Sequence, residues 1–411
     1  MANPIVGLDI GTTKIGVIIG ELDDNGLLKI VGVGTSPSDG LRKGVVVNIE
    51  KTVKSIQQAV KDAELMAGVD VKSVYVGIAG DHIRSINSRG VIAVSRTDNE
   101  ITKQDVARVI EAARAVAIPM DREMLHVIPQ EFTVDDQSGI KDPVGMSGVR
   151  LEADVHIVTG AITSAQNIYK SVEKAGLRVA DIVLEPLASS YAVLEDDERE
   201  LGTAVLDMGG GTTDLIVFIG DSVRYTSSIG LGGKNVTNDL AIGLRTPVEQ
   251  AEEIKRSHGT CQRTGENSEY IITVPGVGGR EPREVSRAVL ASMIEPRMRE
   301  IFVLIMRELQ QHHYLDMLGA GIVLTGGGSL MHGAAELAEQ VFGVPVKLGV
   351  PKGFGGLVAS VATPIHATGV GLVQYGVIRS TEGKEDQEFA EGGSGVRDFF
   401  KKMTEWMKLY V

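Results

Sequence analysis

One local pattern occurs twice, and its repetition narrows the possible folds more than any other feature of the chain. Residues 205–220 read VLDMGGGTTDLIVFIG: an apolar strand, three glycines, two threonines, and a second apolar strand. Residues 6–20 read VGLDIGTTKIGVIIG, the same order with a single glycine in the turn. Each copy runs on into Ile-Gly-acid, Ile19-Gly20-Glu21 and Ile219-Gly220-Asp221. Each is then followed by another strand, a glycine-containing turn and a helix: Lys29–Val33 with Asn48–Met66, and Val223–Ile229 with Asn235–Leu244. The repeat predicts two related α/β halves, each presenting a glycine hairpin to one shared cleft.

The chemistry of the hairpins points to phosphate. Glycines reach backbone angles that residues with side chains resist, so such a turn can aim several N–H groups at a polyphosphate. Asp9, Asp207 and Asp214 add carboxylates, hard oxygen ligands suited to hydrated Mg²⁺. A single hairpin of this kind is most simply a tight turn; the second copy in matched context favours the phosphate reading. A third glycine element, Gly321 to Met331, is strand–glycine turn–helix, with the helix expected near His332. There a flat ring can lie against bare backbone at Gly326, Gly327 and Gly328.

Two further features keep a plain and a functional reading side by side. Glu185-Pro186 opens a helix, where the carboxylate serves as an ordinary partner for the helix dipole or orients a water towards a phosphate. Glu249, Glu252 and Lys255 share one face of the helix expected over Val248–Ser257. They form either a solvated stripe with a weak ion pair or polar arms for a ribose. A long helix is expected over Arg283–Leu315, with Pro296 bending it or starting a new segment.

Residues 84–160 interrupt the α/β theme without a glycine hairpin and read as an inserted βαβ module. Its expected elements are a short strand Gly90–Val94, a helix Thr102–Val116, and strands near Leu125–Val134 and Val155–Thr159. At the other end, residues 379–394 are acidic, glycine-rich and poor in apolar residues, as expected of a disordered tether. Beyond it, Val396, Phe399, Phe400, Met403, Trp406, Met407 and Tyr410 fall on a single face of a helix rich in lysine and arginine. This concentration of aromatics, including the only Trp of the chain, is what a membrane-surface anchor requires; the plainer alternative is a helix docked on its own domain.

Composition removes other classes. The 411 residues, 43% hydrophobic, are enough for two or more domains, and a formal charge of −13 argues against a nucleic-acid-binding surface. Cys261 is the single cysteine, so no intrachain disulfide is expected and a reducing compartment fits best. The histidines show no metal-ligand spacing. The N-terminus carries the Asp9 motif instead of a signal peptide, and no apolar run is long enough to span a bilayer.

Together the Asp9 hairpin, the Asp207 hairpin and the Gly326 turn resemble the phosphate-1, phosphate-2 and adenosine motifs of the actin-like ATPase superfamily. Leu184 to Ala188 resembles its first connecting helix. Within it the chain resembles the FtsA family of bacterial cell-division proteins over essentially residues 4–411, because of the insert and the terminal segment. The resemblance implies a two-lobed actin-like α/β fold with duplicated ribonuclease-H-like halves. It adds an α+β subdomain inserted in the first lobe and a C-terminal amphipathic helix on a flexible tether. It implies boundaries of 1–83, 161–195 and 352–378 for the first lobe and 84–160 for the insert. The second lobe then takes 196–226 and 306–351, with a small subdomain at 227–305, a linker at 379–394 and a membrane helix at 395–411.

The same resemblance implies ATP and Mg²⁺ between the lobes. Gly11, Thr12, Thr13, Gly209, Gly210, Gly211, Thr212 and Thr213 would cradle the phosphates, with Lys14 or Lys234 adding charge beside Gly233. Asp9, Asp207 and Asp214 would hold Mg²⁺ largely through water. Glu252 and Lys255 would take the ribose, Gly327, Gly328, Ser329 and Met331 the adenine, and Glu185 would position a water for, at most, slow hydrolysis. Implied partners are the FtsZ C-terminal peptide on residues 227–305, further copies of the chain in a filament, anionic membrane lipids and other divisome proteins. The implied location is the cytoplasmic face of the cell membrane at the division site. The rival readings are a small-molecule kinase of the superfamily, with Asp135, Asp136 or Asp142 as base, and an MreB-like shape-determining filament.

Overall fold

In the computed structural model, residues 4–95, 98–262 and 269–390 are described. Two sheets carry the duplication. The first has the spatial order Arg178–Leu184, Ser73–Ile78, Ile5–Ile10, Lys14–Leu22, Leu28–Pro37 and Gly355–Gly356. The second runs Val346–Leu348, Gly321–Thr325, Thr203–Met208, Thr213–Ile219 and Ser222–Ile229. In both, a three-strand antiparallel meander is extended on one side by two parallel strands. The two halves therefore match strand for strand, apart from the short Gly355–Gly356 edge.

The central strands are buried end to end, as in Thr203–Met208, which explains why they read as continuous apolar runs without alternation. Two apolar clusters fill the body, the first of them spanning both sheets through Val205, Ile216 and Val323. Leu8, Ile15, Ile18 and Ile56 belong to the first, and Leu206, Leu215, Ile294 and Phe302 to the second. The helix Ile49–Ala67 covers the first sheet with Ile56, Ala59, Val60 and Ala63; it starts where Asn48 Oδ1 accepts from Lys51 N at 3.0 Å.

The insert is a four-stranded antiparallel sheet, order Arg84–Ala93, Arg150–Ala161, Arg122–Val134, Gln137–Ile140, with the helix Lys103–Arg114 on it and a separate core. It is thus not a βαβ unit, because its strands pair antiparallel. Its first strand begins six residues before Gly90. The largely polar run Arg84 to Arg89 lies at a sheet edge, half-exposed and partly against the second lobe, so no apolar pattern marks it. The insert also rests on the second lobe. Gln130 Nε2 donates to Val223 O at 2.6 Å, Ser222 Oγ donates to Gln130 O at 2.6 Å, and Ser85 Oγ donates to Thr226 O at 2.9 Å. Buried His156 bridges Asn87 Oδ1 at 2.7 Å and Thr226 Oγ1 at 3.0 Å.

In the second lobe, Arg283–Ser286 is not the start of the long helix but a strand paired with Ile271–Val274. The helix runs Arg287–Gln311 and continues through Pro296. Pro removes one backbone donor, while buried Ile294 and Met298 on either side pack the neighbouring turns into the core. The helix Ala367–Ala390 continues past residue 379, into the stretch read from sequence as a tether. Residues 391–411, with the whole amphipathic segment, lie outside the described residues.

Candidate functional site

The two glycine hairpins meet. A Cβ on Gly210 would lie 2.3 Å from Thr13 Cγ2, and one on Gly211 would lie 2.5 Å from Thr12 Oγ1. Only bare backbone lets the turns approach this closely. Lys234 spans the junction, donating from Nζ to Thr12 O at 2.8 Å. The first hairpin is braced by Gly44 N donating to Thr12 Oγ1 at 3.1 Å, the second by Thr213 Oγ1 donating to Leu231 O at 3.0 Å. The amides of Gly233 and Lys234 are engaged by Gly209 O at 3.0 Å and Gly210 O at 2.8 Å. Gly233 therefore supports the second hairpin with its backbone, and Lys234 faces the cleft with its side chain.

Acidic groups gather beneath this junction. Asp9, Asp207 and Asp214 end or begin the hairpin strands, and all three are buried. Burial, offset in part by Lys14 and reinforced by the Asp207 charge, pushes Asp9 up to about 6. Burial pushes Asp214 up to about 7, with the Asp207 charge adding to the rise, against the nearby Ser228 hydroxyl and Thr212 Oγ1, which donates to Oδ2 at 2.9 Å. Glu185 is packed against Gly77, and burial together with the charges of Asp9, Asp214 and Asp207 raises it well above the usual carboxylate range. The helix-opening glutamate, half-buried, thus joins the acidic group rather than serving as a surface dipole partner. Lys14, pulled down by burial, is held up by Asp9 and Asp207 and donates to Ile365 O at 2.8 Å.

Glu252 and Lys255 form a pair at 2.7 Å beside the second hairpin. Lys255 Nζ also donates to Gly233 O at 3.1 Å and to Thr237 Oγ1 at 2.9 Å, and Thr237 donates to Glu252. Burial pushes Glu252 up, but the hydrogen bonds of Lys255 and Thr237 outweigh it and hold the carboxylate below its ordinary value. The pair is therefore built into the lobe rather than a solvated stripe. At the third glycine turn, Gly326 has φ +77°, and a Cβ there would lie 2.3 Å from Asp207 Oδ1. Gly327–Leu330 form a 3-10 turn, so the following helix begins only at Ala334, two residues later than expected from sequence. Ser329 Oγ is buried and donates to Gly326 O at 2.7 Å, closing the turn; Met331 reaches Gly259.

The structure thus brings together Asp9, Gly11 to Lys14, Glu185, Asp207 to Asp214, Lys234 and the Gly326 turn, with Glu252 and Lys255 beside them. The insert aspartates do other work: Asp135 Oδ1 accepts from Val149 N and Arg150 N, and Asp142 Oδ1 from Val144 N, each holding a turn. Sequence reading missed Ser189 and Thr368, whose hydroxyls hold Asp207, and Ile365 and His366, which meet Lys14 from a 3-10 turn, all without any motif around them.

The donor set fits a hard divalent cation. Three buried carboxylates, Asp9, Asp207 and Asp214, cluster with Glu185, two of them beside Lys14, and Asp214 Oδ1 has no hydrogen-bond partner. Among the described residues no three His, Cys, Asp or Glu side chains stand close enough to grip a metal directly. The set therefore suits an ion that keeps much of its water, as Mg²⁺ does.

Comparison with known proteins adds the following. Residues 204–371 match the family model described as Cell division protein FtsA, and residues 80–159 match that of the SHS2 domain inserted in FTSA. The Cell division protein FtsA of Pseudomonas aeruginosa is 52% identical over 379 residues, 92% of this chain and 90% of that one. The Escherichia coli protein of the same name is 41% identical over 98% of this chain and 97% of its own. Among solved structures, the PilM-PilN type IV pilus biogenesis complex superposes with TM-score 0.66 at 18% identity, covering 91% of this chain and 98% of that chain. MreB 5 of Spiroplasma citri bound to AMPPNP gives TM-score 0.57 at 12% identity, covering 94% and 99%. The fold is the actin-like one expected from the duplicated hairpins, with the insert in its place.

Proposed function

The chain belongs to the FtsA family of cell division proteins, and from that premise we propose that it binds Mg–ATP between its lobes. In this reading it polymerises at the inner face of the cytoplasmic membrane, ties FtsZ filaments to that surface and helps recruit later divisome proteins. The observation that carries the nucleotide part is the contact of the two hairpins over a buried acidic group. The Gly11–Thr13 and Gly209–Thr213 turns take the phosphates, Lys14 and Lys234 supply positive charge, and Glu252 with Lys255 takes the ribose. The Gly326–Met331 turn takes the adenine. Asp9, Asp207 and Asp214 hold Mg²⁺, which when bound neutralises phosphate charge. Glu185 orients water, its carboxyl raised above the usual range by burial and by the charges of Asp9, Asp214 and Asp207. In this reading any hydrolysis is at most slow and serves regulation.

The assembly part rests on different features. Ile242 and Val248 leave apolar surface on the helices Gly233–Leu244 and Val248–His258, which suits capture of a peptide such as the FtsZ C-terminus on residues 227–305. The insert at 84–160 contributes to self-association. Among the described residues no helix is long and apolar enough to cross a membrane, and attachment falls to residues 396–411. A single amphipathic segment binds lipid weakly and reversibly, and a filament multiplies it into stable attachment.

Co-sedimentation with anionic vesicles and binding of a fluorescent ATP analogue test both parts. Trp406→Glu should abolish sedimentation while leaving nucleotide affinity unchanged, and equal loss of both would place the terminal segment within the folded body. Absence of affinity for any adenine nucleotide would sink the nucleotide reading.

A further inference from the structure

Asp207 is held by two hydroxyls that no motif announces. Ser189 Oγ donates to Asp207 Oδ2 at 2.5 Å, Thr368 Oγ1 donates to the same oxygen at 3.0 Å, and the two hydroxyls lie 3.1 Å apart. All three residues are buried, Ser189 completely. A helical serine ordinarily turns back to a carbonyl of its own helix. Its neighbour Ser190 does so, donating to Leu187 O at 2.7 Å, whereas Ser189 reaches out to the second sheet. Ser189 lies in the helix Glu185–Val193, where the chain first passes from one sheet to the other. Thr368 lies in the first turn of Ala367–Ala390, where it has returned. The two helices touch beside the clamp: a Cβ on Gly371 would lie 1.8 Å from Ala188 O.

We propose that Ser189 and Thr368 are positioning residues that fix the Asp207 carboxylate for Mg²⁺, and through it set the metal dependence of nucleotide binding. Both hydroxyls donate to Oδ2, which locks the carboxylate against rotation and leaves Oδ1 to serve the cation or its water. A free carboxylate would spread over several orientations and lose its preorganisation for the ion. Because the clamp comes from the two connecting helices, the aspartate is oriented only while these helices and the second sheet are in register. This inference rests on the nucleotide reading above and assigns roles within it.

The test uses the full-length protein with a fluorescent ATP analogue, titrated with Mg²⁺ and, separately, in EDTA. Ser189→Ala, Thr368→Val and the double variant should each raise the half-saturating Mg²⁺ concentration by about 10-fold or more. Their affinity in EDTA should stay within about twofold of wild type, a difference of about 0.4 kcal/mol. Thr368→Ser keeps the hydroxyl and should restore the wild-type Mg²⁺ titration. Thr368→Val preserves shape and provides the reading if Ser189→Ala folds poorly. An unchanged Mg²⁺ titration in Thr368→Val, or equal loss with Mg²⁺ and with EDTA, would overturn the clamp alone. Failure of the wild-type protein to bind the analogue under either condition would overturn the clamp and the nucleotide reading together.

Discussion

Asp214 carries a conflict that pH can expose. Burial lifts its carboxyl from 3.8 to about 7, so the folded protein holds this proton more tightly than the unfolded chain does. The stabilisation is complete below the unfolded value and is lost as pH rises through the folded one. Asp214→Asn stays neutral throughout. Without nucleotide or Mg²⁺, its unfolding midpoint should match wild type near pH 4 and exceed it by a few degrees near pH 7.5, as read by calorimetry. The difference between the two proteins is the proper observable, because buried His126 and His156, held down to about 4 and about 3, act in the opposite sense. They favour the folded state above the unfolded histidine value and oppose it as pH falls. A pH-independent difference would mean that Asp214 is not the strained group. The hairpin residues were legible in the sequence because their chemistry is local: glycine, threonine and aspartate within one turn. Ser189 and Thr368 were not, because a hydroxyl in a helix reads the same whether it bonds its own backbone or a carboxylate from another sheet.

Between elements, the informative contact joins the insert to the second-lobe strand Ser222–Ile229. Gln130 is buried, and its amide and carbonyl meet Val223 O and Ser222 Oγ. Replacing it with Ala leaves Val223 O without that donor, a penalty of about 1–3 kcal/mol for a buried polar group. Gln130→Ala should therefore lower the denaturant midpoint and speed amide exchange in both Arg122–Val134 and Ser222–Ile229. Faster exchange confined to the insert would mean that the contact holds only its own subdomain. The insert strand at Arg84 and the ribbon strand Arg283–Ser286 escaped sequence reading for one reason. Both lie at edges, where half-exposed polar residues satisfy the ladder without an apolar alternation. Long buried strands such as Thr213–Ile219 were plain for the opposite reason.

For the molecule as a body, two sheets that share one cleft, and one core through Val205, Ile216 and Val323, have a thermodynamic consequence. A ligand gripped by both lobes stabilises the folded state as a unit. At 100 times its dissociation constant, Mg–ATP should add about 2.7 kcal/mol and raise the midpoint of both lobes together. Removal of residues 391–411 should leave this increment unchanged. A rise confined to one of two separate transitions would place the nucleotide on a single lobe.

The repeat of a short glycine turn between apolar strands was enough to determine two like halves, because strand burial and turn chemistry are written in adjacent residues. The spacing of apolar residues from Val396 to Tyr410 predicts an amphipathic face in the same way, on residues outside those described. Which hydroxyls orient Asp207, how the insert leans on the second lobe, and how far Glu185 is removed from water were decided only by tertiary packing. Burial and hydrogen-bond partners there come from segments distant in the chain, and no local pattern of residue types encodes them.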